Sequence, residues 1–328
     1  LVKIIKYFMK ILTVQNRMGI GDMIIFLPFI EVIAKKFNTQ VYLLVKQSSQ
    51  ASEYLKNNKY IKDIIILDRD NKYKRGEHDG LIGSIKLIKN LRKFNFDKIF
   101  IFNSSLRYNL IARFSSIKKI YQYPLFKKKN QHIIQAAQDF LKDNLNLKIE
   151  SNPNIFLDDK LLKSNKEKYF SNKYKNILLG IGGSGETKRI PAEIFLKFME
   201  LCEEKYKCKF FLATGSSEGE KEILDKLLNT KFKSVCTRLD NLKISQTLPF
   251  IKNCDISICN DSSFSHLSAA LGLQTIVLMA DTPLLYGSYS PKMFPIIPEG
   301  ANNVTHDTLG KDKINPYDIF KKFKALID

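Results

Sequence analysis

No stretch of this 328-residue chain approaches the roughly 18–20 consecutive apolar residues that cross a bilayer. The longest run, Met23 to Ile30, is short and carries Pro28. Embedding in a membrane is thereby excluded, whereas attachment to its surface is not. Cysteine is sparse and odd in number: Cys202, Cys208, Cys236, Cys254 and Cys259, with no C-x-x-C pair. Neither a disulfide framework nor a zinc site is suggested, and a reducing cytoplasm fits. Arginine is scarce too, eight of the 53 basic residues. Because its planar fork is the usual reader of bases and phosphates, specific nucleic-acid binding is not expected. The opening LVKIIKYFMK has neither an h-region nor a cleavage site and is no secretory signal. It reads as residues before a start at Met9, with a short membrane-touching lead as the alternative.

What is present is an ordinary globular balance, 44% apolar and 26% charged, with a net charge of +20. That is enough apolar material for two cores, and the length suggests two domains. The charge excess points to anionic partners, lipid head groups or phosphorylated substrates; a Lys-heavy coding background is the plainer explanation.

Strand-like and helix-like segments alternate in both halves of the chain. In the first, strands near Lys10–Gln15, Val41–Val45, Ile64–Leu67, Lys98–Phe102 and Lys119–Gln122 are separated by helices, the last of them at His132–Asn144. A stretch poor in pattern, Asn144 to Asn154, reads as a linker or hinge. The alternation then resumes, with strands expected at Asn176–Gly180, Lys209–Ala213, Ser234–Cys236, Ile256–Asn260 and Thr275–Met279. Proline-rich loops and a last helix from about Pro316 to Leu326 close the chain. This is the pattern of parallel α/β sheets: two doubly wound, Rossmann-like domains, residues 1–150 and 151–328, facing a central cleft at the carboxyl ends of both sheets.

Three stretches carry candidate chemistry. RMGIGDMIIFLP, Arg17 to Pro28, follows the first strand; Gly19 and Gly21 allow a tight turn, and Asp22 either caps the helix or serves as a general base. GIGGSGETKRIP, Gly180 to Pro191, contains G-x-G-x-x-G, but Thr187, Lys188 and Arg189 come before the helix, unlike a dinucleotide fingerprint. It reads as a loop offering amides and Lys188 to a phosphate, or else as a solvated basic loop. ICNDSSFSHLSAALG, Ile258 to Gly272, opens a helix at Asp261, Ser262 and Ser263, whose free amides suit a phosphate, with His266 on the first turn; simple capping is the alternative. Two weaker signals are ATGSSEGE, Ala213 to Glu220, whose carboxylates suit ribose hydroxyls, and DRD, Asp68 to Asp70, which mimics a D-x-D metal site but occurs easily by chance.

Together these stretches resemble glycosyltransferase family 9, the heptosyltransferases of lipopolysaccharide assembly. RMGIGDMIIFLP is similar to the family's R-x-G-x-x-G-D element, TKRIP to its K-x-W-P loop, NDSSFSHLSAALG to its D-[ST]-G-x-x-H-L element, and FDKIFIFNSSLR, Phe96 to Arg107, to a fourth-strand segment. The resemblance implies a GT-B fold, with the acceptor on the first domain and a nucleotide-sugar donor, ADP-heptose, on the second; the final helix is expected to pack back on the first domain. It implies an inverting transferase needing neither metal nor cofactor. Asp22 falls at the catalytic base; Arg17, Gly19 and Gly21 on the acceptor-side loop; and Thr187, Lys188, Gly215, Glu218, Asp261, Ser262, Ser263 and His266 on the donor side. Whether Glu218 or Glu220 meets the ribose is open. Ser263 replaces the D-[ST]-G glycine, Ile190 the K-x-W-P tryptophan, and FNSS the D-x-x-G of the strand segment. The expected partners are the donor, a lipid-linked or glycan acceptor and an anionic membrane surface. The expected setting is a cytoplasmic monomer at the inner face of the inner membrane, with Lys3, Lys6 and Lys127–Lys129 as contacts. The rival readings are a non-catalytic nucleotide-sugar-binding protein of the same fold and a Rossmann-type oxidoreductase.

Overall fold

The computed structural model describes residues 9–17, 19–69, 74–125 and 131–328. Lys3, Lys6, Asp70 and Lys127–Lys129, named above, lie outside them. The chain divides into two compact units, with the break between Ser151 and Asn152.

The first unit runs β1 (Ile11–Gln15), α1 (Ile20–Lys36), β2 (Val41–Lys46), α2 (Ala51–Tyr54), β3 (Ile61–Leu67), α3 (Gly80–Arg92), β4 (Lys98–Ile101), α4 (Leu106–Phe114), β5 (Lys119–Gln122) and α5 (Ile133–Leu145). All strand pairs are parallel, in the order β3-β2-β1-β4-β5. β1 is buried at every residue, as a central parallel strand covered on both faces must be. The apolar run Met23–Ile30 is the buried core of α1, which continues through Pro28. α5 lies beside α1, and Phe102, Tyr123 and Phe140 form an edge-to-face cluster with centroids 5.0–6.0 Å apart.

The second unit runs α6 (Asp159–Tyr169), β6 (Lys175–Gly180), α7 (Ala192–Glu203), β7 (Cys208–Ala213), α8 (Glu218–Leu228), β8 (Cys236–Arg238), α9 (Ile244–Asn253), β9 (Ile256–Asn260), α10 (Ser263–Ala270), β10 (Thr275–Leu278), β11 (Met293–Ile296) and α11 (Pro316–Ile327). Its parallel sheet has the order β11-β10-β9-β6-β7-β8, the doubly wound arrangement with its switch point between β6 and β9. Two such units give the GT-B architecture expected of the chain.

Three expectations need correction. α6 was not anticipated; it is polar, burying only Asn165, and starts at Asp158, whose carboxylate accepts the Leu161 amide at 3.0 Å. The strand expected at Ser234–Cys236 is displaced to Cys236–Arg238, because residues Lys231–Val235 form a 3-10 turn capped by Thr230. The stretch expected as proline-rich loops contains the strand β11, whose Pro295 is tolerated because the strand is at the sheet edge. Within the second unit, the apolar face of α11 goes into the core: Phe323 packs at 5.6 Å from both Phe198 and Tyr206, and Tyr206 donates to the Asp328 carboxylate at 2.9 Å.

Candidate active site

In the first unit, β1 ends at Gln15 and α1 begins after Gly19, its N-cap, so Asp22 is the third helical residue and not the cap. A carboxylate in a first turn is favoured by the helix dipole. Arg17 Nε donates to Asp22 Oδ1 at 3.0 Å, with the Asp22 side chain 24% exposed. A Cβ on Gly19 would stand 3.6 Å from Asp22 Oδ2, so glycine there leaves that approach to the carboxylate open. Gly21 lies in the same turn.

The second unit's candidates gather at the carboxyl ends of β6, β7 and β9, around its switch point. Lys188, on a 3-10 turn, places Nζ 2.9 Å from Asp261 Oδ2 at the end of β9. Asp261 is buried, and burial is the strongest influence on it, opposing ionisation. Lys188 and His266 beside it, with hydrogen bonds from Thr282 and Lys188, outweigh that and hold its carboxyl below the usual range. His266 is itself buried on α10. Its Nδ1 meets Tyr289 Oη at 2.9 Å, and its Nε2 lies 4.0 Å from Asp261 Oδ1. Burial pushes the Tyr289 hydroxyl up, so it stays a protonated partner. Tyr289, distant in sequence and in a loop, had no local signal to mark it.

Around this pair, Thr214 Oγ1, Asn260 Oδ1 and Ser262 Oγ are buried with no hydrogen-bond partner among the described residues. Such atoms are costly unless something pairs with them. Ser262 is the N-cap of α10 and Ser263 its first residue, so their amides lie at the helix start. Thr187 bonds Asp281, whose carboxylate also accepts the Leu309 amide at 2.9 Å.

The two glutamates separate clearly. Glu218 is exposed at the first position of α8. Glu220 is buried and engaged: it accepts Gly183 N at 3.0 Å, Gly215 N and Ser217 N at 3.2 Å, and Ser217 Oγ at 2.6 Å. It thus fastens the loop after β6 to the loop after β7. The S-x-x-E spacing of Ser217 and Glu220, a capping-box signature, is the signal that marks it. The first two glycines of G-x-G-x-x-G serve close packing: a Cβ on Gly182 would lie 2.5 Å from Glu220 Oε1, and one on Gly180 2.5 Å from Cys259 Sγ. Ile190 is fully buried in the second unit's core, so this departure from K-x-W-P alters packing behind the loop. Arg107 bonds Ser84 Oγ at 2.9 Å and the His78 carbonyl, tying α4 to α3. Asp68 Oδ2 accepts the Glu77 amide at 2.8 Å, organising its own loop. Among the described residues, no three His, Cys, Asp or Glu side chains form a group able to hold a metal, and no helix is long and apolar enough to cross a membrane.

Comparison with known proteins agrees with this architecture. Lipooligosaccharide heptosyltransferase 2 of Campylobacter jejuni subsp. jejuni serotype O:6 is 26% identical over 275 residues, spanning 80% of this chain and 79% of that relative. Among solved structures, a glycosyl transferase family 9 protein of Veillonella parvula superposes with a TM-score of 0.76 at 16% identity, covering 98% of this chain and 97% of the other. The ADP-heptose lipopolysaccharide heptosyltransferase II of E. coli gives 0.74 at 18% identity, covering 97% and 98%. The model of glycosyltransferase family 9 (heptosyltransferase) matches residues 84–313. With more than two thirds of its length matched, the chain belongs to glycosyltransferase family 9 and is a glycosyltransferase.

Proposed function

We propose that the chain transfers a heptose from ADP-heptose to a sugar of a lipopolysaccharide or lipooligosaccharide core, with inversion and without a metal ion. The observation that carries this reading is the Lys188–Asp261 pair at the open end of the second unit's sheet, beside the first turn of α10 and the Ser262 hydroxyl, which has no hydrogen-bond partner among the described residues. A cation next to unpaired helix amides is suited to a diphosphate.

In the proposed reaction the acceptor hydroxyl oxygen attacks the anomeric carbon of the donor. The new C–O bond forms as the bond to the diphosphate oxygen breaks, and Asp22 takes the hydroxyl proton. General-base help of this kind contributes about 10²–10⁴-fold. ADP departs with the bonding electrons. Lys188 and the amides of Ser262 and Ser263 meet its growing charge, as preorganised donors do. His266, held by Tyr289, keeps Asp261 and through it Lys188 in place. Thr187 fixes the Lys188 turn through Asp281, and Gly215 with the exposed Glu218 takes the ribose. The enzyme acts as a monomer at the inner face of the inner membrane.

The test incubates the full-length protein with ADP-heptose and a heptose-deficient core acceptor. Expected are release of ADP, a product heavier by one heptose, an inverted anomeric configuration by NMR, and no loss of rate in a chelator. The absence of both ADP release and a mass gain would sink the proposal; a retained configuration would sink the inverting mechanism.

A further inference from the structure

Eleven large apolar side chains are exposed among the described residues, and six of them sit on two helices of the first unit. They are Leu81, Ile82 and Ile85 on α3, and Leu106, Leu110 and Phe114 on α4, each 43–84% exposed. Apolar side chains scattered singly over a surface are ordinary, whereas a concentration of this kind marks a contact surface. The two helices lie side by side: Arg107 Nε donates to Ser84 Oγ at 2.9 Å towards one end, and Arg92 Nε to the Phe114 carbonyl at 2.8 Å at the other. Each has already given one face to the core, through Leu87 and Leu91 on α3 and Ile111 and Ala112 on α4. One such face is all that packing on the sheet requires, so the exposed six form a second apolar face. On α4 they recur at i, i+4 and i+8, which is a single stripe.

The charge carried by these helices has one sign. Lys86 and Lys89 on α3, Lys93 at its end and Arg113 on α4 are exposed, and neither helix contains Asp or Glu. Glu77, before α3, approaches Lys86 at 3.8 Å with both side chains more than half exposed, a pairing worth little in water. A second copy of this chain, docked face to face about a two-fold axis, would crowd these cations against the same set in its partner, with no acid on either helix to meet them. An anionic bilayer suits both features. Its acyl boundary takes apolar side chains, and lysine stems lie along apolar surface while their ammonium groups reach the lipid phosphates.

We infer that the outer face of α3 and α4 docks on an anionic lipid bilayer, its apolar side chains entering the boundary between headgroups and acyl chains while Lys86, Lys89 and Lys93 meet lipid phosphates. The inference rests on the proposed action at a membrane surface and names the part of the chain that touches it. Net charge alone would attract the protein with no fixed orientation; an apolar face fixes which side of the first unit meets the lipid.

The chain contains no tryptophan, so a single introduced one reports without background. Full-length Ile85→Trp and Leu110→Trp are mixed with vesicles of phosphatidylglycerol and phosphatidylcholine, with Leu161→Trp in α6 of the second unit as the control. Emission of the first two should shift to the blue and be quenched by brominated acyl chains; the control should do neither. Ile82→Ser with Ile85→Ser should weaken partitioning to these vesicles by at least about tenfold, as for two apolar side chains that no longer leave water. Lys86→Gln with Lys89→Gln should weaken it by about fivefold for each lysine. Thermal melting confirms that each variant is folded. No shift with anionic vesicles, an equal shift in Leu161→Trp, or undiminished partitioning of the double serine variant overturns the inference. So does a dimer in sedimentation equilibrium that the double serine variant dissociates, since the face then belongs to a second copy. ADP release from ADP-heptose is measured alongside. Docking without ADP release refutes only the transfer reading; ADP release without a shift refutes only the docking face.

Discussion

Glu220 accepts the backbone amide of Gly183 at 3.0 Å across 37 positions of sequence, and through the same oxygen the amide of Gly215. One buried carboxylate therefore sets the spacing between the two loops that flank the candidate donor site. Glu220→Gln keeps the shape but turns an N–H₂ toward donors. Hydrogen bonds to a charged group are worth roughly 1.5–3 kcal/mol, and a loss of that size is expected in urea denaturation. Hydrogen exchange should quicken at the Gly183 and Gly215 amides before it does in β6. Unchanged exchange at both would show that the carboxylate does not hold the loops.

Asp22→Asn should retain the fold and the affinity for ADP-heptose while turnover falls by at least about 10²-fold. Steady-state ADP release together with donor titration separates these effects. A variant that turns over near the wild-type rate would remove Asp22 from the mechanism.

Lys188→Ala and His266→Ala should each weaken ADP more than adenosine, the first by direct loss of charge and the second because Asp261 is no longer held. The direct loss corresponds to roughly 1.5–3 kcal/mol. Calorimetric titration with both ligands decides it, and equal losses would mean that neither residue acts on the phosphates.

Asp261 contributes a pH dependence whose sign is fixed by its lowered pKa. Its folded value lies below the unfolded one, near 3.8. The stabilisation is complete above the unfolded value and disappears as pH falls through the folded one. Urea denaturation at pH 7 should find Asp261→Asn less stable than wild type, and the gap should narrow below about pH 4. A gap that is constant with pH would show that ionisation of Asp261 does not stabilise the fold.

The net charge of +20 should draw the protein to anionic vesicles and not to neutral ones. Each lysine near anionic lipid contributes about 1 kcal/mol. Binding should reverse at 1 M salt, where screening shortens to about 3 Å. Sedimentation with both vesicle types tests this, and equal partitioning would reduce the charge to coding bias.

Much of the fold was legible because a buried parallel strand leaves an unambiguous run such as ILTVQ, and the helices between such strands carry their own apolar face. α6 was hidden because it buries almost nothing, and β11 because proline normally argues against a strand. At the site, the motif loops were readable, but the division of labour between Glu218 and Glu220 was not. Two residues apart on a helix start, they face different ways, and only the packing of the loop after β6 decides which is consumed. Tyr289 was invisible because its partner, His266, is reached through a fold and not through a motif.

If Lys188 meets the donor's diphosphate as proposed, its pairing with Asp261 bears on the end of the catalytic cycle. A lysine that already has a buried counter-ion does not wait as an unmet charge, so a diphosphate that engages it must share it with the carboxylate. The grip on the nucleotide is then the difference between two attachments. When the sugar has gone, the carboxylate remains in place to reclaim the lysine, so that tight handling of the reacting bond need not become slow discharge of the spent nucleotide.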